Sequence, residues 1–591
     1  MKKSIPFFTL ASSFLLSGAI FFLVSCAKKD KAGEKVLHLP VSAKIKGMDP
    51  IYTNDRYSVN AVGRVYEGLL SYHYLKRPFV LEPNLALAMP QVQDGGKTYT
   101  FKLRPGVLFH DDKCFPGGKG REMVAQDVVY SFKRTIANPK ALGWWVIDGK
   151  IAGGNDFREK VAKGKATMES PIEGLKALDR YTVQFKLTEP FPQFLYAFAM
   201  TFFFVVPHEA VKHYGEEFIN HPVGTGPFTL KEFKRTNRIV LHKNPTFRKK
   251  LYPSEGTPED RKEGLLADAG KQLPLVDKLV IHINVESQPR WLSFQAGKLD
   301  LLEIPKDNFD TVVTPSRNLS PKMKKKGIKL HITPALDVTY TAFQHKNKLF
   351  SNLKLRRAMS LANDPHISNN LFYSSTALVA QSIIPPGIAG FISGFKNQWV
   401  GPDVKRAKKL LAEAGYPGGK GLPVITFDTS ASTVSRQIGE FFKKRMDLIG
   451  IKVQVITNPW PELQKKIQTA QTMIHSLAWG ADYPDAHNFL QLLYGPNKAP
   501  GSNGSNYNDP EFNQLFESIR TLHDSPERTK LYEKMYKIAA DRLPWIYGVH
   551  RQSFIMTQGW LKNFKKMEFE QGTEQYLSID LEKKKQLQAH F

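Results

Sequence analysis

Between Val434 and Ile456 the chain reads VSRQIGEFFKKRMDLIGIKVQVI, a helical spacing that turns into strand alternation across one glycine. Ile438, Phe441, Phe442 and Ile449 recur on one helical face, Gly450 breaks the helix, and Ile451, Val453 and Val455 then alternate as a strand does. This helix-then-strand unit needs a sheet with helices packed on it. The same grammar appears in DVKRAKKLLAEAGYPGG, where Asp403 caps the start, Ala407, Leu410, Leu411 and Ala414 form the apolar face, and Gly415 stops the helix. Earlier, Tyr99, Phe101 and Leu103, then Tyr181, Val183, Phe185 and Leu187, alternate as strands. The chain is therefore predicted to be mixed α/β. Its 591 residues exceed what one hydrophobic core organises, so at least two lobes are expected.

Residues 1–25 are set apart from the fold. Lys2 and Lys3 precede an apolar run, Ile5 to Val24, that is short for a membrane span and reads as an export signal. Its end, Leu23-Val24-Ser25-Cys26, resembles the bacterial lipobox, in which Cys26 is lipidated and becomes the mature N-terminus; the competing reading is an ordinary signal that ends near a cysteine. The lipid tethers the protein to a membrane surface without spanning it. The only other cysteine is Cys114, so neither an internal disulfide nor a cysteine-built zinc site is expected. Removing the signal takes away two lysines and no acids, lowering the formal net charge from +28 to +26. The lysines are spread along the chain with short clusters such as KMKKKGIK at 322–329, and no nucleic-acid-binding signature accompanies them. Solvated basic faces near an anionic membrane are the expected reading, and no nucleic-acid partner is predicted.

Two polar, glycine-rich stretches, from 147 to 170 and from 247 to 274, are expected to be loops that touch no core. Searches for catalytic machinery are negative. His208 and His213 stand five residues apart, off the four-residue spacing of a helical zinc pair, so no metal site is expected there. No nucleophile elbow, Walker loop or dinucleotide fingerprint occurs. PVGTGPF at 222–228 lacks the lysine and hydroxyl of a phosphate loop, and Gly224 and Gly226 are read as supplying backbone freedom in a tight turn.

SLAWGADYPDAHNFL, residues 476–490, poses an electrostatic question: Asp482 stands in a segment apolar enough to be buried. Removing an ionised carboxylate from water costs several kcal/mol, roughly, unless a cation or several donors meet it. Its partner is either a protein group or a ligand.

The lipobox, GMDP at 47–50, VYEGLL at 65–70, KTYTFKLRPGVLFHDD at 97–112, QDVVYSFKR at 126–134, PVGTGPF, FQAGKLDLLE at 294–303, LRRAMSLA at 355–362, AKKLLAEAGYP and WGADYPD stand in one order along the chain. Together they make it resemble the oligopeptide- and dipeptide-binding proteins of bacterial ABC importers, over nearly the whole mature chain. The resemblance implies a two-lobed α/β fold of the periplasmic-binding-protein type, class II-like, with two hinge crossings and an extra α/β domain on the first lobe. Carried over, 36–66, 190–330 and 550–591 form lobe I, 67–189 the extra domain and 331–549 lobe II.

The same resemblance implies the site. Asp482 would pair with a peptide α-ammonium; Trp479, Gly480 and Ala481 would border the first ligand residues, with the Trp479 ring walling a side-chain pocket. A contact strand on the opposing lobe lands on Asn54, Asp55 and Arg56, and Tyr547 would line the cleft. Each has a structural alternative: Asp482 capping a helix or pairing with an Arg, Trp479 and Tyr547 as core aromatics, Asn54 to Arg56 as an exposed turn. One departure stands out, since Ser476, beside His475, occupies the place of an Arg that meets the carboxylate of short peptides in well-studied members. The implied function is non-catalytic capture of peptide in the interlobe cleft by a monomer without cofactor, held by the lipid on Cys26 at the periplasm or cell surface. It delivers ligand to a membrane permease and its ATPase subunits. The alternatives are a secreted peptide or cell-wall-fragment hydrolase, a sensor or adhesin, and the same fold binding a nickel complex, haem, a murein peptide, an opine or a sugar.

Overall fold

The structure is a computed structural model that describes residues 33–53, 55–569 and 572–589. The signal segment, Cys26 and Asn54 lie outside the described residues. Lys35–Phe591 forms one unit, built on four principal sheets.

The first lobe carries two of these sheets. In one, Val36–Val41 pairs in parallel with Lys278–Ile283, followed antiparallel by Arg238–Lys243 and Phe228–Lys234. In the other, Gln552–Thr557 lies between Leu301–Glu303 and Lys329–Pro334. The second lobe is a five-stranded sheet in the order Val453–Asn458, Ile425–Ser430, Ile474–Gly480, Asp337–Phe343, Trp545–Tyr547. The extra domain is an antiparallel sheet, Gln91–Gln93, Thr98–Lys102, Thr182–Lys186, Leu175–Asp179, against which helix Ala125–Ala137 packs Val128 and Phe132.

Local chemistry explains the elements. Asp403 accepts from the Arg406 N–H at 2.9 Å to cap Val404–Glu413, and Gly415 at φ 96° ends that helix. Helix Thr433–Asp447 buries Phe442 and Met446 against the sheet, and Gly450 at φ 86° turns the chain toward strand Val453–Asn458.

The chain crosses between the lobes twice. It leaves Lys329–Pro334 to enter Asp337–Phe343, and returns from Val549–His550 to Gln552–Thr557. The crossings are stitched together where the Arg551 backbone N–H and guanidinium both donate to the Asp337 carboxylate. The connections thus fall at 335–336 and at Arg551, and Val549–His550 pairs with Leu378–Val379 of the second lobe.

Two expectations need correction. The polar stretches are not free of core: Ile151 and Phe157 are buried in the first, while Tyr252, Leu265 and Leu273 of the second pack with Tyr74, Leu75 and Tyr576 in a satellite cluster. A few widely spaced anchors suffice to fix such segments, and an average over composition hides them. Gly224 and Gly226 serve close approach rather than a special backbone angle. A Cβ at Gly224 would stand 2.1 Å from the Val65 carbonyl oxygen, and one at Gly226 2.6 Å from it.

Candidate functional site

Strand Ile474–Gly480 runs antiparallel to Asp337–Phe343 through its whole length, so one edge is fully paired. On its other edge the pairing with Ile425–Ser430 covers only Ile474 and His475. From Ser476 to Gly480 that edge therefore presents backbone groups with no described strand beside them, the arrangement an extended peptide can join as an added strand. Gly480 is exposed, and a Cβ there would meet nothing within 4 Å, so the backbone is open to approach.

Asp482 stands just past the end of this strand. Its carboxylate is not buried in the core but opens into a cavity of about 180 Å³. Ala481 and Asp482 form one wall; Val59, Phe202 and Phe569 come from the stretches expected to form the first lobe, and Tyr72 and Trp145 from the stretch expected to form the extra domain. Asn488, fully buried on helix His487–Leu490, orients the acid. Its Oδ1 accepts from the Trp479 indole N–H at 3.0 Å and from the Asp482 backbone N–H at 3.0 Å, which leaves its Nδ2 to donate to Asp482 Oδ2 at 2.9 Å. No Lys, Arg or His pairs with Asp482 among the described residues. Asp482 is exposed toward this cavity, yet the protein packed behind it removes enough water to push its pKa up to about 6, against the lowering effect of the Asn488 amide. The group is poised to accept a cation. Glu568 stands across the same cavity, beside the Lys566 ammonium.

The other expected site residues fall in different places. Trp479 is half-buried, its ring against the core and its indole on Asn488. Tyr547 is 1% exposed and donates its hydroxyl to the Ala539 carbonyl at 2.9 Å. It also borders a small pocket of about 60 Å³ that takes in Ser476 and Thr339. Asp55 and Arg56 do not form a contact strand. Asp55 is the N-cap of helix Arg56–Gly63, accepting from the Ser58 N–H at 3.0 Å, and exposed Arg56 borders a separate cavity of about 410 Å³ with Asn60 and Arg64. An Asp three residues before a Ser N–H caps a helix more readily than it starts a strand. His475 is buried, its pKa lowered to about 4 by desolvation, so it offers no positive charge to a ligand carboxylate at neutral pH. Asn488 was not singled out in the sequence; its one signal is a polar residue inside the run His487-Asn488-Phe489-Leu490.

Two side-chain pairs also join the second lobe to the segments that face it. Tyr196 stacks on Tyr483 with centroids 5.2 Å apart and an interplanar angle of 13°, and Arg520 reaches Glu189 at 2.6 Å.

Two lobes, a double crossing and an open strand edge ending on an unpaired carboxylate define an extracellular solute-binding protein. The profile described as "Bacterial extracellular solute-binding proteins, family 5 Middle" matches residues 80–501, and the chain belongs to that family, which is non-enzymatic. The chain is 26% identical to "Heme-binding protein A" of Haemophilus influenzae, across 97% of this chain and 99% of that protein. It is 27% identical to the "Dipeptide-binding protein" of Escherichia coli, across 78% and 80% respectively. Among solved structures, the ABC transporter-associated periplasmic binding protein DppA of Helicobacter pylori, in complex with peptide STSA, matches with a TM-score of 0.70 and 25% identity over 92% of this chain and 98% of that one. The chain is thus the substrate-binding type of protein that serves ABC importers.

Proposed function

We propose that this protein captures peptides in the interlobe cleft and delivers them to a membrane permease driven by separate ATPase subunits. The observation that carries this reading is the open edge of Ser476–Gly480 leading directly to Asp482. Main-chain groups along that edge hold an extended backbone without reading its side chains, and Asp482 takes the α-ammonium at its end. Trp479, Gly480 and Ala481 border the first ligand residue. Asp55 and Arg56 stand on the facing lobe, with Arg56 exposed and without an ion-pair partner among the described residues. Ser476 itself supplies no cation for the carboxylate end of the peptide, which is met elsewhere.

We place the protein outside the cytoplasm, anchored by lipid on Cys26 and acting as a monomer. The resemblance of Leu23 to Cys26 to a lipobox supports the anchor. The lobes and extra domain are proposed to move about the paired crossings at 335–336 and Arg551, closing over ligand.

A second reading is haem binding, favoured by the near-complete coverage of the Haemophilus protein. The cavity at Asp482, about 180 Å³, is below the size of sites that enclose drug-sized ligands, which suits the end of a peptide better than a macrocycle. Native mass spectrometry of ligands that co-purify with the protein tests the choice. Peptide masses support capture of peptides; a single porphyrin mass, with the absorption band of bound haem, rejects it.

A further inference from the structure

The lysine run at 322–329 is not an isolated solvated turn, because the fold brings a second run onto it. Gly327, just past helix Pro321–Lys325, lies against helix Leu581–Gln588. A Cβ at Gly327 would stand 3.2 Å from Leu587, and a Cβ at Gly559 would meet both the Gly327 carbonyl oxygen at 2.5 Å and Leu587 at 2.9 Å. The Gln588 side-chain amide donates to the Gly297 carbonyl at 3.4 Å, fixing the end of the second helix. Lys329 from one run and Lys583 from the other thereby meet, and Lys322 and Lys325, one helical turn apart, continue the first run, while Lys324 and Lys585, two residues from Lys322 and Lys583, turn away on their helices. All six are exposed, and none forms an ion pair among the described residues. Lys329 and Lys583 flank a single depression of about 530 Å³, together with Lys562. The acids nearby are few or engaged. Asp580 caps the second helix through the Lys583 N–H at 3.0 Å, Asp300 is 1% exposed, and Glu582 and Glu263 are the exposed exceptions.

We propose that this face docks on an anionic phospholipid bilayer. Three observations favour a lipid surface. The cations are lysines, compact charges that suit diffuse phosphate layers, whereas nucleic-acid grooves favour arginine forks and stacking rings. Leu292, 60% exposed, stands on helix Ser287–Gln295, whose Gln295 carbonyl accepts from Lys326 at 3.4 Å, so an apolar side chain projects beside the charges as at a bilayer interface. Finally, strand Val36–Val41 is tied to this side of the lobe, with the Asp300 carboxylate accepting from the His38 N–H at 2.6 Å. Cys26 precedes that strand in the sequence, and binding by the lysine face does not depend on a lipid there.

The test uses the full chain carrying Cys26→Ala, so that no lipid is attached. Vesicles of phosphatidylcholine, alone or in equimolar mixture with phosphatidylglycerol, are sedimented with the protein at low and physiological salt. The apolar leader contributes equally to every variant, so the difference between the two vesicle types reads the charges. Each lysine near an anionic surface is worth about 5-fold in partitioning, so Lys325→Glu, Lys329→Glu and Lys583→Glu together lower binding to mixed vesicles by on the order of 100-fold. Reversing exposed Lys405, Lys408 and Lys409 on helix Val404–Glu413 changes the same charge on another face, and is expected to alter it less than about 3-fold. An equal loss in both triples overturns the proposal, as does indifference to phosphatidylglycerol or stronger competition by duplex DNA than by vesicles at equal phosphate. Should circular dichroism show the charge-reversed face unfolded, Lys→Gln at the same three positions makes the same comparison.

Discussion

Asn488 holds Asp482 from two directions at once, accepting from its backbone N–H and donating to its carboxylate at 2.9 Å. The amide has no freedom to flip, because the Trp479 indole N–H requires the same Oδ1 as acceptor. Asn488→Ala removes all three bonds and leaves a half-buried indole donor without this acceptor. The expected cost is about 1–3 kcal/mol of stability, seen in denaturant unfolding, together with weaker ligand binding. Full retention of both contradicts the orienting role.

The raised pKa of Asp482 gives binding a pH signature. Its folded-state value, about 6, lies above the ordinary 3.8, so between these values the empty protein keeps a proton that the unfolded chain has lost. The unfavourable contribution of this group to stability is absent below about pH 4 and complete above about pH 6. A cationic ligand favours the carboxylate and draws the pKa back down. Binding near pH 6 should therefore release a proton, and affinity should fall as pH drops from 7 to 5. Calorimetry in two buffers of different ionisation enthalpy measures the release, which Asp482→Asn should abolish.

Tyr196 on Tyr483 and Arg520 on Glu189 join surfaces that part in the proposed opening of the cleft. A stacked pair contributes about 0.5–1.5 kcal/mol beyond its buried area. Tyr196→Ala should favour the open form, raising the ligand dissociation rate roughly 2- to 10-fold with a smaller effect on association. In solution scattering, the unliganded variant should show a larger radius of gyration than the parent.

Stability near the site depends on a buried charge pair. Arg528 donates to Asp485 at 2.8 Å, and the Tyr532 hydroxyl donates to the same carboxylate at 2.6 Å. Both charged side chains are almost fully buried, at 2% and 3% exposure. Arg528→Ala would leave the carboxylate without its cation and is expected to cost about 3–5 kcal/mol in unfolding experiments. Exposed Asp524, the second partner of Arg528, should cost under about 1 kcal/mol when replaced by Asn.

The fold was largely legible because its grammar is local. Asp403, Gly415 and Gly450 mark helix ends by cap chemistry and backbone angle, which a sequence displays directly. The corrections came from long-range packing. Gly224 and Gly226 read as turn residues, yet what they accommodate is Val65, distant in sequence. Tyr252, Leu265 and Leu273 sit in polar company and find a core only through Tyr74 and Tyr576. At the site, Asp482 declared itself as an acid in an apolar segment, whereas Asn488 gave little sign. Its importance arises from a helix folding back over the strand end, a relation that six residues of spacing do not reveal. Asp55 was misplaced on a strand because the resemblance outweighed a local capping signal.

The most direct test compares a free-amine peptide with its N-acetylated form, titrated into the parent protein and into Asp482→Asn by calorimetry. Pairing of Asp482 with the α-ammonium predicts that the parent prefers the free amine by on the order of 3 kcal/mol and that Asp482→Asn largely loses the preference. Equal affinity of the parent for both peptides would contradict it.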